Sequence, residues 1–205
     1  MLEASLLADL IVELPNAVRL QRLVHTLREH FRCGAVGLLR LDGDSLRPLA
    51  AVGLVHEALG RRFVVAQHPR LAAIMAAREP TWFEPDSRLP DPYDGLLDQH
   101  VGEPLPVHDC MGMSLFVDGQ PWGALTLDAL HPGTFDSNAR RDLQHYSLLI
   151  EAAVRITRLE QENRSLRLAL ADRQQLGARL LGQSPAMQRL REQLGALAAI
   201  DTDVL

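Results

Sequence analysis

Two apolar runs, residues 106–117 and 121–130, are separated only by Asp118-Gly119-Gln120. Runs of this length broken by a short glycine-containing turn must pair as an antiparallel hairpin, because a parallel partner needs a crossover of a dozen residues or more. A second pair has the same form: AVGLLRL (35–41), a turn at Asp42-Gly43-Asp44, and SLRPLAAVG (45–53). RRFVV (61–65) and TWF (81–83) add strand-like pieces, with a short helix, LAAIMAAR, opened by His68-Pro69-Arg70 between them. Helical patterns flank the strands. Leu2, Leu6, Leu10 and Leu14 recur at helical spacing before Pro15 interrupts, and Leu20, Leu23, Val24, Leu27 and Phe31 form a second apolar face that Gly34 is expected to end. The pattern turns helical again from Asp136 to about Arg173. Helix, antiparallel strands, then helix implies an α+β domain, with helices on one face of an antiparallel sheet and a long helix after it.

The 205 residues suffice for one domain of ordinary size plus extra helix. With 47% hydrophobic and 23% charged residues, the chain reads as globular, and its net charge of -5 argues against nucleic-acid binding by this segment. No apolar run approaches the roughly 20 residues of a membrane span. Glu3, Asp9 and Glu13 in the first fifteen residues, without a basic start, do not make a signal peptide, so a cytoplasmic location is expected. Cys33 and Cys110 are then expected as free thiols.

Residues 84–104, EPDSRLPDPYDGLLDQHVGEP, read as a long irregular loop, which inside a compact domain is more often functional than decorative. It supplies Asp94, which joins His108, Cys110 and Asp128 in a constellation of metal-capable side chains. His108 and Cys110 are two apart in a strand and share a face. A three-residue loop at Asp118-Gly119-Gln120 would pair Val117 with Pro121 and set Cys110 opposite Asp128, whereas a two-residue loop would break the alignment. Nitrogen, thiolate and carboxylate donors suit a first-row transition metal rather than calcium or magnesium. Spacing alone leaves Asp94 open as a turn residue and Asp128 as a strand end.

Leu149, Ala152, Ile156, Leu159, Asn163, Leu166 and Leu170 alternate three- and four-residue steps, a heptad seam with one polar Asn. The expectation is a parallel homodimer through the 143–173 helix, the alternative being a stripe packed on its own domain.

HPRLAAIMAAREPTWFEPDSRLPDPYDGLL (68–97), the HDC triplet (108–110) and PWGALTLDAL (121–130) resemble the GAF-type sensor domain of the NorR family of sigma-54-dependent transcription activators. The resemblance implies a GAF domain over 1–150 and a signalling helix or linker over 151–177. Residues 178–205 would then start an AAA+ ATPase domain, since Gly182, Ser184 and Met187 match that domain's opening and Val204-Leu205 would begin its first strand. The phosphate-binding loop is absent, so this chain is not expected to be an enzyme. The family implies one non-haem ferrous iron that binds nitric oxide, with Asp94, His108, Cys110 and Asp128 as ligands and Arg70 as a further candidate. A guanidinium is a permanent cation with donors only, so Arg70 fits better as a hydrogen-bond donor to a ligating carboxylate, with Asp91 as a neighbour in the same loop. A surface salt bridge is the plainer reading of Arg70. Nitric oxide would relieve repression of the AAA+ domain in the same chain. The rival functions are a thiol sensor acting through Cys110 and a GAF pocket for a small molecule.

Overall fold

The computed structural model describes residues 2–99, 102, 109–178 and 184–198. The chain begins with α1 (Leu2–Ile11) and α2 (Asn16–Phe31), followed by the strands β1 (Ala35–Asp42) and β2 (Ser45–Val52). A short α3 (His56–Gly60), the two-residue β3 (Phe63–Val64) and a 3-10 turn lead to α4 (Pro69–Ala76) and β4 (Thr81–Phe83). The hairpin β5 (Cys110–Val117) and β6 (Gln120–Asp128) precedes α5 (Ser137–Ala178) and α6 (Pro185–Ala198). All strand pairs are antiparallel, in the order β3-β2-β1-β6-β5-β4.

Helix α2 forms on the expected stripe, and Leu20, Leu23, Val24, Leu27 and Phe31 are all buried. It stops earlier than Gly34 suggested: Arg32 takes the left-handed conformation (φ 51°) and sends its N–H back to the Arg28 carbonyl. Gly34 instead makes room for Leu130, whose Cγ would lie 2.6 Å from an added Cβ. The end of α1 is held by a buried arginine. Arg19 donates from Nε to the Asp9 carbonyl and from Nη2 to that of Val12, supplying donors where a helix C-terminus has open acceptors.

The β5–β6 turn is a two-residue loop, Asp118-Gly119, with φ of 52° and 77°, the pair of positive values that a type I′ hairpin requires. Val117 therefore pairs with Gln120, not Pro121. A bulge corrects the register: Phe116 faces Pro121 while Leu115 faces Gly123, so Trp122 is the extra residue and Cys110 falls opposite Asp128 after all.

Strand alternation sorts the apolar residues into two cores. Val36, Leu38, Met111, Met113, Leu125 and Leu127 face α1, α2 and the first turns of α5, making the larger core. The other face carries Ala35, Leu39, Cys110 and Ala124 and is covered by α3, α4 and the loop after β4, which contributes Tyr93, Leu96 and Leu97. That loop is tied down by main-chain bonds: Val55 N–H to Leu96 O, Asp98 N–H to Gly53 O, and a bridge between Leu54 and Leu97.

The chain divides into two compact units after Arg158, because Ala153, Val154 and Thr157 still pack in the first. In the second, α5 is exposed on all sides from Gln161 to Asp172. Helix α6 starts from Ser184, whose Oγ accepts the Met187 N–H at 3.3 Å. Gly182, Val204 and Leu205 lie outside the described residues. No described helix is long and apolar enough to cross a membrane.

Candidate metal centre

The site lies on the smaller core's face, where β5 begins and β6 ends. Hairpin pairing sets Cys110 against Asp128, and two residues back along β6 Thr126 points to the same side. Over them fold the start of α4 and the loop after β4. Pro69 at the first turn of α4 favours helix without needing an N–H partner, and the next residue, Arg70, projects beneath the loop.

Arg70 is not on the surface; it is 2% exposed. Its Nε donates to the Leu89 carbonyl at 2.8 Å, and its Nη1 donates to Asp91 Oδ2 and to Cys110 Sγ, each at 3.0 Å. The Cys110 thiol lies 3.1 Å from the same Asp91 oxygen. The other oxygen of Asp91 accepts the Tyr93 N–H at 2.8 Å, a turn that sends the Tyr93 ring down onto the sheet. There its hydroxyl meets Thr126 Oγ1 at 3.0 Å. The space exists because Gly37 lies alongside: a Cβ there would come within 2.8 Å of Thr126 Oγ1 and 3.1 Å of the Tyr93 hydroxyl.

One donor atom each from Asp91, Cys110 and Asp128 lie within 4.8 Å of one another, and all three residues are buried. They line a cavity of about 10 Å³, room for one water or ion and far below a nucleotide-sized pocket. Two buried polar atoms in this group have no hydrogen-bond partner among the described residues: Asp128 Oδ2 and Arg70 Nη2. Burial, reinforced by the charge of Asp91, raises the Asp128 carboxyl well above the usual range. Burial, with Asp128 and Asp91 nearby, likewise pushes the Cys110 thiol up. One guanidinium thus faces two carboxyl groups and a thiol, and burial disfavours the charged forms of Asp128 and Cys110. A divalent cation would reverse that, since metal binding requires deprotonated ligands and releases their protons. Two carboxylates and a thiol, close together, buried and incompletely hydrogen-bonded, fit a transition-metal ion.

Of the expected side chains, the structure brings Cys110, Asp128, Arg70 and Asp91 together. Asp94 is exposed, one turn beyond Asp91 with its N–H to the Asp91 carbonyl at 3.4 Å, though its charge still reaches Asp128. His108 lies outside the described residues. Both cysteines are free; Cys33 is buried in the larger core, and its thiol is pushed up to about 12 by burial and then by Asp128. Sequence reasoning missed Asp109 and Thr126. Alternation from Cys110 was the available signal for Asp109, since it predicts that the preceding side chain faces away from the site.

The family model for the GAF domain matches residues 17–154. The nitric oxide reductase transcription regulator NorR2 of Cupriavidus necator is 60% identical over 98% of this chain, which spans 40% of that protein. The anaerobic nitric oxide reductase transcription regulator NorR of Vibrio vulnificus is 38% identical over 96% of the chain and 39% of its own length. The chain therefore spans about two fifths of the relatives it matches. Among solved structures, the GAF domain of a phosphoenolpyruvate-protein phosphotransferase from Coxiella burnetii superposes with a TM-score of 0.61, covering 79% of this chain and 94% of its own at 17% identity. With the GAF model matching most of its first unit and relatives 60% and 38% identical over nearly its whole length, the chain belongs to the GAF domain family, and its domain is of the NorR type.

Proposed function

We propose that this chain is the nitric oxide sensor of a transcription regulator, and that a ferrous ion is held between the loop and the sheet. The buried group of Asp91, Cys110 and Asp128 carries this reading, in a chain 60% identical to a nitric oxide reductase regulator. The proposed holders are Cys110, Asp128, His108 and a loop carboxylate, for which Asp91 has the geometry and Asp94 the family resemblance. The metal would supply a binding position for nitric oxide. Arg70 offsets the ligand charge and orients Asp91 and Cys110 through its two Nη1 contacts. Tyr93 anchors the loop to the sheet through Thr126, so the loop and the hairpin can shift only together or by breaking that bond. The full regulator would carry an AAA+ domain after α5, repressed in the resting state, and act in the cytoplasm as an ATP-dependent, DNA-binding activator. A ligand can shift such a state only if it binds the two arrangements unequally. Beyond Ile156 the heptad positions Leu159, Leu166 and Leu170 are 40%, 64% and 58% exposed, and a second copy of the helix would cover them as a homodimer.

The thiol-sensor alternative needs an accessible thiolate, but the Cys110 thiol is buried and shifted upward, the profile of an inert cysteine. Anaerobic loading of the chain with ferrous ion, followed by elemental analysis and paramagnetic resonance after nitric oxide, tests the proposal. Stoichiometric iron and a new resonance, both lost in Cys110→Ala and Asp128→Ala, are expected. Protein that takes up no iron, or responds equally in both variants, would overturn it.

A further inference from the structure

Asp109 precedes Cys110 but serves the opposite side of the sheet. It is 0% exposed, and its carboxylate is a junction. Oδ1 accepts the indole N–H of Trp82 at 2.8 Å, while Oδ2 accepts the main-chain N–H groups of Thr134 at 2.7 Å and Phe135 at 3.3 Å. Its carbonyl accepts the Ala129 N–H at 2.9 Å. The two site residues on the sheet, Cys110 and Asp128, are each joined by one peptide to this junction, through Asp109 and Ala129. What it holds is the start of α5. Phe135 is buried in the larger core, and Asp136 caps the helix by accepting the Asn138 and Ala139 N–H groups at 2.9 and 2.8 Å. A second strut runs beside it: the Arg140 guanidinium lies 4.8 Å over the ring of Trp82, which pairs with Met111 on β5.

We propose that Asp109 is the positioning residue that couples the ligand site to the N-terminus of α5. The inference rests on the sensor reading above and specifies how its signal leaves the site. A displacement of Cys110 and Asp128 is passed to the Thr134–Phe135 main chain through one buried carboxylate with three donors, because hydrogen bonds weaken steeply once their geometry is disturbed and a carboxylate buried this fully has no water to turn to. Trp82 carries the same displacement to Arg140.

Hydrogen exchange of peptides covering residues 131–142 tests this, in the whole chain, metal-free, ferrous-loaded and with nitric oxide, alongside iron content and paramagnetic resonance. The wild type is expected to change protection in these peptides on ligand addition. D109N leaves one acceptor oxygen where donors approach from two sides, so whichever way the amide turns, either the Trp82 indole N–H or the Thr134 and Phe135 N–H groups lose their acceptor; it should keep the iron and the resonance but lose the ligand-dependent change at least tenfold. W82F, which leaves the carboxylate in place, should lose part of the change and decides the matter if D109N does not fold. A full wild-type change in D109N, or in W82F where D109N is unfolded, would overturn the coupling role, as would loss of iron by a folded D109N. Iron uptake absent from the wild type itself would instead sink the sensor reading, and this inference with it.

Discussion

Two aspartates one strand pair apart, Asp109 and Asp128, are both buried, yet they are treated in opposite ways. Asp109 collects an indole and two main-chain donors on the side of the sheet that faces the larger core. Asp128, on the other side, keeps an oxygen with no hydrogen-bond partner among the described residues, beside a thiol and a second carboxylate. A buried carboxylate with its bonds complete is a structural bolt, whereas one left open, with its protonation driven upward, is a place prepared for something to bind. The same contrast holds for the two buried arginines among the described residues. Arg19 caps a helix end, while Arg70 spans a loop carbonyl, a carboxylate and a thiol, with no partner for Nη2 among the described residues.

The contrast is broken most severely at Arg70. Arg70→Ala removes the guanidinium that pairs with the buried Asp91, and losing one partner of a buried pair costs about 3–5 kcal/mol. Urea unfolding of the metal-free protein should show it, and a change below about 1 kcal/mol would mean that Asp91 is not held as an ion pair. Asp109→Asn comes next, at about 1–3 kcal/mol, because it leaves either the Trp82 indole N–H or the main-chain N–H groups of Thr134 and Phe135 facing an amide donor. This loss should be the same with and without metal. Asp128→Asn should do the reverse in metal-free protein. Removing an open, charge-capable oxygen is expected to leave stability unchanged or raise it by about 1 kcal/mol, while abolishing ferrous uptake. If it destabilised the metal-free chain as much as D109N, the two aspartates would not differ in kind.

The smallest effect concerns Asp136, which lies in the solvent yet caps α5. The Ala139 N–H, then the Asn138 N–H and the nearby Arg141 charge, favour its charged form and hold its carboxyl below the usual carboxylate range. Because its folded pKa is lowered, its stabilisation is present above the unfolded value of about 3.9 and is lost as pH falls through the folded value. Unfolding curves of wild type and Asp136→Ala should differ at neutral pH and converge in acid.

The local elements could be read from residue order. Both hairpins, the apolar stripe of α2 and the helix after Asp136 follow from periodicity, which backbone sterics impose within a few residues. The Cys110–Asp128 pairing was reached as well, but through the wrong turn: a two-residue loop plus a bulge at Trp122 gives the alignment that a three-residue loop would have given. The loop was harder. Asp91 and Asp94 look alike in sequence, and only the contacts of Tyr93 with Thr126 and of Leu97 with Leu54 decide which carboxylate turns inward.

The order of residues by itself determined that the chain makes a mixed domain with an antiparallel sheet, and which strand residues share a face. Alternation and turn length are local properties, written in every few residues. Only the tertiary structure decided that Arg70 is buried, that Asp91 lies against Cys110, and that Asp109 is saturated while Asp128 is not. Each of those depends on segments distant in the chain meeting in one place, and hydrogen bonding across such gaps leaves no periodic trace to read.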